Sequence, residues 1–273
     1  MENLNEAPLL RRRSLAFALG AALTVVATRG LAQPKAAPLS VSINRAGKMR
    51  ALSQRVSKSY VQVTLGVLPE KAMETILGTQ KIMSSTLEYL LGTSPPPEVR
   101  KPLAMLERDM AALNTLLGGN PKREDVMIIA KAADAMLESA DQTTRAYQEL
   151  SRQGAARIVN IAGRQRMLSQ RAGRAYFLIA AGNDTPAIHK QLDDSREEFK
   201  QALATLQNAP ISTASIKNEL DLARSQWLFY EGALAKKPNP EGLATVATTS
   251  ERVFEVMDNL TALYDAAVRE LLS

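Results

Sequence analysis

Gly47 and Arg50, and again Gly163 and Arg166, would place a guanidinium one helical turn beyond a residue that has no side chain. Gly47, Arg50, Gln54, Ser57 and Val61 advance by 3, 4, 3 and 4, the spacing of a seam between two helices. Gly163, Arg166, Gln170, Gly173 and Phe177 advance in the same way. Small residues on such a seam let two backbones approach closely. An arginine there is costly if buried alone, and two facing arginines repel. A planar oxyanion held between two bidentate guanidinium forks would make the arrangement favourable. Two plainer readings stand beside it. The arginines could be solvated, or each could pair with an acidic residue on a neighbouring helix. The candidate ligand-binding residues are therefore Arg50, Arg166, Gly47 and Gly163, with Asn44, Asn160, Gln54 and Gln170 as secondary candidates. Arg55 and Arg171, also secondary, lie about a quarter turn off the seam and read better as structural ion-pair partners.

These residues belong to one segment that occurs twice. Ile43-Asn-Arg-Ala-Gly-Lys-Met-Arg-Ala-Leu-Ser-Gln-Arg55 aligns with Val159-Asn-Ile-Ala-Gly-Arg-Gln-Arg-Met-Leu-Ser-Gln-Arg171, with eight of thirteen positions identical at an offset of 116. The same offset pairs Tyr60 with Tyr176, Gly66 with Gly182 and Leu106 with Leu222. Breakers divide each copy alike: Pro69, Pro95-Pro96-Pro97 and Gly118 to Pro121 in the first, then Gly182 to Pro186, Asn208 to Pro210 and Pro238 to Pro240 in the second. Between them, apolar residues advance by three or four, as in Leu103, Leu106, Met110, Leu113 and Leu117. The expected fold is all-α: two tandem four-helix up-down bundles, residues 41–153 and 154–273, joined near Gly154 by a turn or a continuous helix. The first motif helix is expected over 43–66, with Met49, Leu52, Val56 and Val63 on its core stripe.

The rest of the composition closes off other chemistries. The chain has no cysteine and a single histidine, His189, in a polar stretch, so thiolate metal sites and a histidine-dependent nucleophile are not expected. Acidic pairs such as Asp193-Asp194 and Glu197-Glu198 read as a solvated helix face. No enzyme activity and no cofactor is expected. The net charge of +6 falls to +4 without residues 1–32, which suits an anionic ligand or acidic partner. No basic face interleaved with aromatics is present, so nucleic acid is not an expected partner. Trp227, Phe229 and Tyr230 form the one aromatic cluster, read as core packing with partner contact as the alternative.

Arg11-Arg12-Arg13 precedes an apolar run from Leu15 to Ala27 and small residues ending at Ala32. That is the pattern of a cleavable export signal over 1–32, resembling a twin-arginine signal, followed by a tether over 33–40. The expected location is the periplasm, with an uncleaved inner-membrane anchor as the alternative.

The box Asn-x-Ala-Gly-x-x-Arg-x-x-Ser-x-Arg at 44–55 and 160–171 resembles that of the PilJ-type N-terminal domain of type IV pilus methyl-accepting chemotaxis transducers. It is also similar to the box in the periplasmic domain of nitrate/nitrite sensor kinases. The resemblance implies a helical sensor bundle, here in two copies. In the nitrate branch it implies that Arg50 and Arg166, with Gly47 and Gly163, contact one anion. The chain ends at Ser273 after an amphipathic helix, so output is expected from a separate membrane sensor or transducer. The reading is a periplasmic sensor for a small anion, nitrate or nitrite preferred, with homo-oligomerisation open. The alternative is a helical interaction protein that binds no small molecule.

Overall fold

Proline sets where half of the helices begin. Pro69, Pro97, Pro186 and Pro240 each open a helix, where a missing N–H costs nothing and the fixed φ already suits the turn. In the computed structural model, which describes residues 38–151 and 154–271, the helices are α1 (Leu39–Thr64), α2 (Pro69–Gly92), α3 (Pro97–Leu116), α4 (Val126–Ser151), α5 (Gly154–Ala180), α6 (Pro186–Gln207), α7 (Ala214–Leu234) and α8 (Pro240–Leu271). A 3-10 turn over Arg123–Asp125 leads into α4. Thr185 and Thr213 cap α6 and α7 by accepting from the amides of Ile188 and Ile216. Gly66 and Gly182, at φ of 70° and 92°, end the two motif helices in a backbone region that favours glycine.

The chain is all-α, with no strand among the described residues. The expected export signal and residues 33–37 of the tether lie outside the described residues. Within the span expected as tether, α1 begins at Leu39 and buries Ser40. Its other end falls at Thr64 rather than 66. Whether the junction before Gly154 is a turn or a continuous helix depends on residues 152 and 153, also outside the described residues.

Within the unit that holds the described helices, α1 packs on α2 and α4, α3 on α4, α5 on α6 and α8, and α7 on α8. The motif helices α1 and α5 pack on each other as extensively as α1 packs on α4. One apolar cluster therefore runs through both sets of four helices. This position makes α1 an unusual helix. Its polar stripe, with Arg50, Gln54 and Ser57, is buried along with Met49, Leu52 and Val56 of the core stripe, and so is Lys58 between them, while Val63 is half-buried.

One expected register match fails. Leu106 is buried, whereas Leu222 is 43% exposed. The buried series is Val99, Leu103, Leu106, Met110, Leu113 and Leu117 in and just after α3, and Ile216, Leu220, Ala223, Trp227, Tyr230 and Leu234 in α7. The two series have identical intervals at an offset of 117. The core face of α7 thus stands one residue later than 116 implies, and Leu222 turns to solvent.

Candidate functional site

The polar stripes of α1 and α5 face each other. Arg50 Nη2 donates to Asn160 Oδ1 at 2.7 Å, and Arg166 Nη2 donates to the Asn44 carbonyl at 3.1 Å. A Cβ on Gly173 would lie 3.1 Å from Lys58 Cδ. Lys48 and Arg166 share Asp258 on α8, and further along the two helices Lys58 and Gln170 meet the adjacent Glu251 and Ser250, so the two motif helices run parallel. Each arginine reaches back toward the N-terminus of the other helix, the direction long helical side chains take.

The glycines make room for this. A Cβ on Gly47 would meet Arg50 Nη2 at 3.0 Å, and one on Gly163 would meet Arg166 Nη2 at 3.0 Å. Each guanidinium lies across its glycine, and each Nε donates to that glycine's carbonyl, at 3.4 and 3.3 Å.

The seam brings Arg50 and Arg166 to one interface, where each has a carboxylate partner of its own. Arg50 Nη1 pairs with Asp141 Oδ1 at 2.7 Å, and Arg166 Nη1 pairs with Asp258 Oδ1 at 2.6 Å. Both arginines are 1% exposed. A cation buried that deeply needs a counter-charge, and α4 and α8 supply one each. Of the sequence readings, the pairing of each arginine with an acidic residue on a neighbouring helix is the one the geometry contains. Burial pulls Arg50 down to about 10 even so, with Asp141 opposing and the nearby Arg164 and Arg166 adding to the fall. Arg166 is lowered too, by burial against the pull of Asp258. Burial would raise Asp141 and Asp258, but their basic partners hold both below the usual range.

The secondary candidates fall into distinct roles. Asn160 also donates to Gln148 at 2.5 Å, while Asn44 contributes its backbone carbonyl. Gln54 donates to the Ala133 carbonyl at 3.4 Å, and Gln170 to the Ser250 carbonyl at 2.9 Å, tying the motif helices to α4 and α8. Arg55 is a structural ion-pair partner, bound to Glu251 through Nε at 2.9 Å. Arg171 instead donates to the Ser195 hydroxyl at 2.8 Å. His189 is exposed on α6, 2.5 Å from Asp184.

Sequence reasoning missed both carboxylates and a second pair of buried cations. Asp141, Thr144 and Tyr147 repeat as Asp258, Thr261 and Tyr264, an Asp-x-x-Thr-x-x-Tyr pattern at an offset of 117 that would have flagged them. Thr144 and Thr261 are the nearest residues of another helix to Gly47 and Gly163, with their methyl groups 3.8 and 3.6 Å from where a Cβ would stand. Two turns further along, Lys58 donates to Glu251 at 2.6 Å and to Ser250 at 2.7 Å, crossing from α1 to α8. Arg174 pairs with Asp134 at 2.8 Å, crossing from α5 to α4.

Positive charge exceeds negative at the first layer of this seam. Lys48 and Arg166 converge on Asp258, while Arg50, Arg145 and Arg164 converge on Asp141. Glu198 also holds Arg164. Beside Arg166 a cavity of about 320 Å³ opens between α1, α2 and α8, lined by Asn44, Arg45, Lys48, Asp258 and Asp265 among others. No cluster of histidine and acidic residues among the described residues could hold a metal ion. No helix among them is long and apolar enough to cross a membrane.

Parallel helices locked by buried ion pairs, with a polar cavity at one end, define a class: a helical bundle whose polar core is architectural and electrostatic. Within it, residues 147–251 match the family described as Type IV pili methyl-accepting chemotaxis transducer N-term. The match supports a PilJ-type domain over that stretch, a sensor and transducer family rather than a catalytic one, and the stretch contains the second motif box. No curated protein and no solved structure matches the chain.

Proposed function

We propose that the chain is an exported sensor module that binds a small planar oxyanion, nitrate or nitrite by preference, and reports occupancy to a membrane signalling partner. The PilJ-type match over 147–251 supports the sensor and signalling role. Export rests on the arginine-led apolar segment at the N-terminus.

The observation that carries the ligand is the cavity beside Arg166. Three basic groups line it, Arg45, Lys48 and Arg166, against two carboxylates, Asp258 and Asp265. The seat is thus beside the seam and not between the two arginines. Asp258 holds Arg166 through one oxygen and Lys48 through the other, at 2.6 and 2.7 Å. An anion that takes Arg45 and Lys48 competes with Asp258 for its partner. That loosens α1 from α8, and such a differential contact is what a sensor needs in order to shift between states.

A thermal-shift series on the purified chain with nitrate, nitrite, sulfate and chloride tests this. At a hundredfold excess over Kd the preferred anion adds about 2.7 kcal/mol, which raises Tm by about 5–10 °C for a chain of this size. Lys48→Ala is expected to abolish the shift while leaving the fold intact, since Lys48 is partly exposed. No shift with any of the four anions refutes the ligand reading and leaves a helical interaction protein.

A further inference from the structure

The outward face of α7 breaks the usual division of an amphipathic helix. Its buried face is complete without Leu222, Leu228 and Phe229, yet these are 43, 69 and 67% exposed. The aromatic cluster is therefore split: Trp227 and Tyr230 are core, and Phe229 is not. Comparison with α3 shows that the bundle does not require this. The two helices bury residues at identical intervals, and where α7 exposes Leu228-Phe229, α3 exposes Ala111-Ala112.

Leu228 stands between two grooves. One, of about 500 Å³, runs over Trp227 and Leu203 with Lys200 and Arg224 on its walls and Asp221 as its single acid. The other, of about 450 Å³, lies beside Phe229 and Ala233 with Lys236 and Arg252 on its walls and no acid. An apolar ridge between grooves accepts the i, i+3/i+4, i+7 anchors of a helix, and basic walls select acidic flanks. A second copy of the chain presenting this face would set Arg224, Lys236 and Arg252 against themselves.

We propose that the Leu228-Phe229 ridge of α7, with the adjoining edge of α8, is a docking site for an acidic amphipathic helix of a partner protein. It stands apart from the anion cavity, which is built from α1, α2, α5 and α8, so either reading can fail alone.

Trp227 reports on the groove, because it is the only tryptophan in the chain and forms part of the groove wall. The full chain is titrated with a synthetic amphipathic helix of about five turns carrying leucine on one stripe and glutamate on both flanks. A matched peptide with lysine flanks, and vesicles containing phosphatidylglycerol, are run in parallel. The acidic peptide is expected to shift the Trp227 emission with an affinity that weakens as salt rises. The double variant Leu228→Ala/Phe229→Ala and the double variant Lys236→Glu/Arg252→Glu should each weaken it about tenfold or more, as loss of anchors or of complementary charge does. All four residues are exposed, and an unchanged circular dichroism spectrum and urea unfolding midpoint confirm that the fold survives. No emission shift, equal binding of both peptides, or insensitivity to both double variants overturns the proposal. So does ridge-dependent binding to the vesicles alone, or self-association that Phe229→Ala abolishes.

Discussion

Asp141→Ala is expected to destabilise the chain by about 3–5 kcal/mol, a large share of what a protein of this kind has in total. The carboxylate neutralises Arg50, which is 1% exposed and cannot reach water when its partner goes. Arg164 and Arg166 already repel Arg50, so removing Asp141 leaves like charges facing each other across the α1–α5 seam. Asn160 remains as an acceptor but carries no charge. Adding Arg50→Met to Asp141→Ala should recover most of the loss, because a buried pair replaced by apolar groups of similar size is close to neutral. A double-mutant cycle by urea unfolding reads this directly. Near-additive losses in the cycle would mean that the pair does not carry the seam.

Glu251→Gln is expected to cost nearly as much and to change the response to acid. Glu251 meets Lys58, which is fully buried, through Oε1 at 2.6 Å, and Arg55 through Oε2. Burial opposes its charge, yet the two cations bring it from 4.5 to about 2. A carboxyl lowered on folding stabilises the native state above its unfolded pKa, and that stability is lost as pH falls through the folded value. The window here is pH 4.5 down to about 2, and the shift corresponds to about 3 kcal/mol. Unfolding free energy measured across this window should fall steeply in the natural chain. In Glu251→Gln the slope should be shallower, with Asp141 and Asp258 supplying what remains, since both are also lowered. Superimposable slopes would show that Glu251 titrates alike in the folded and unfolded chains.

The helices were legible because proline and glycine punctuate them, and Pro69, Pro97, Pro186 and Pro240 mark starts that no tertiary contact needs to explain. The seam was legible too. Gly47 with Arg50 and Gly163 with Arg166 keep a heptad spacing that only a close helix contact uses, and the structure turns both toward that contact. The partners were not legible from that segment. Asp141 lies 91 residues from Arg50, and Asp258 lies 92 from Arg166, so which acid meets which base depends on how α4 and α8 pack. The motif segment carries no counter-charge for Arg50 or Arg166, and Asp141 and Asp258 reach them from α4 and α8. Lys58 and Arg174 escaped notice for a related reason. They look like ordinary exposed positions unless α1 and α5 are known to be covered on nearly every side. The split of the aromatic cluster turns on the one-residue register of α7, which periodicity fixes only loosely.

Buried ion pairs hold α1 and α5 to α4 and α8, and the anion seat proposed above is the cavity beside Arg166. Isothermal titration of the purified chain with nitrate and nitrite tests that division most directly. One anion per chain is expected, lost in Lys48→Ala and retained in Arg145→Ala, whose side chain serves the Asp141 end of the seam. Two anions per chain, or one whose binding survives Lys48→Ala, would contradict a single seat beside Asp258.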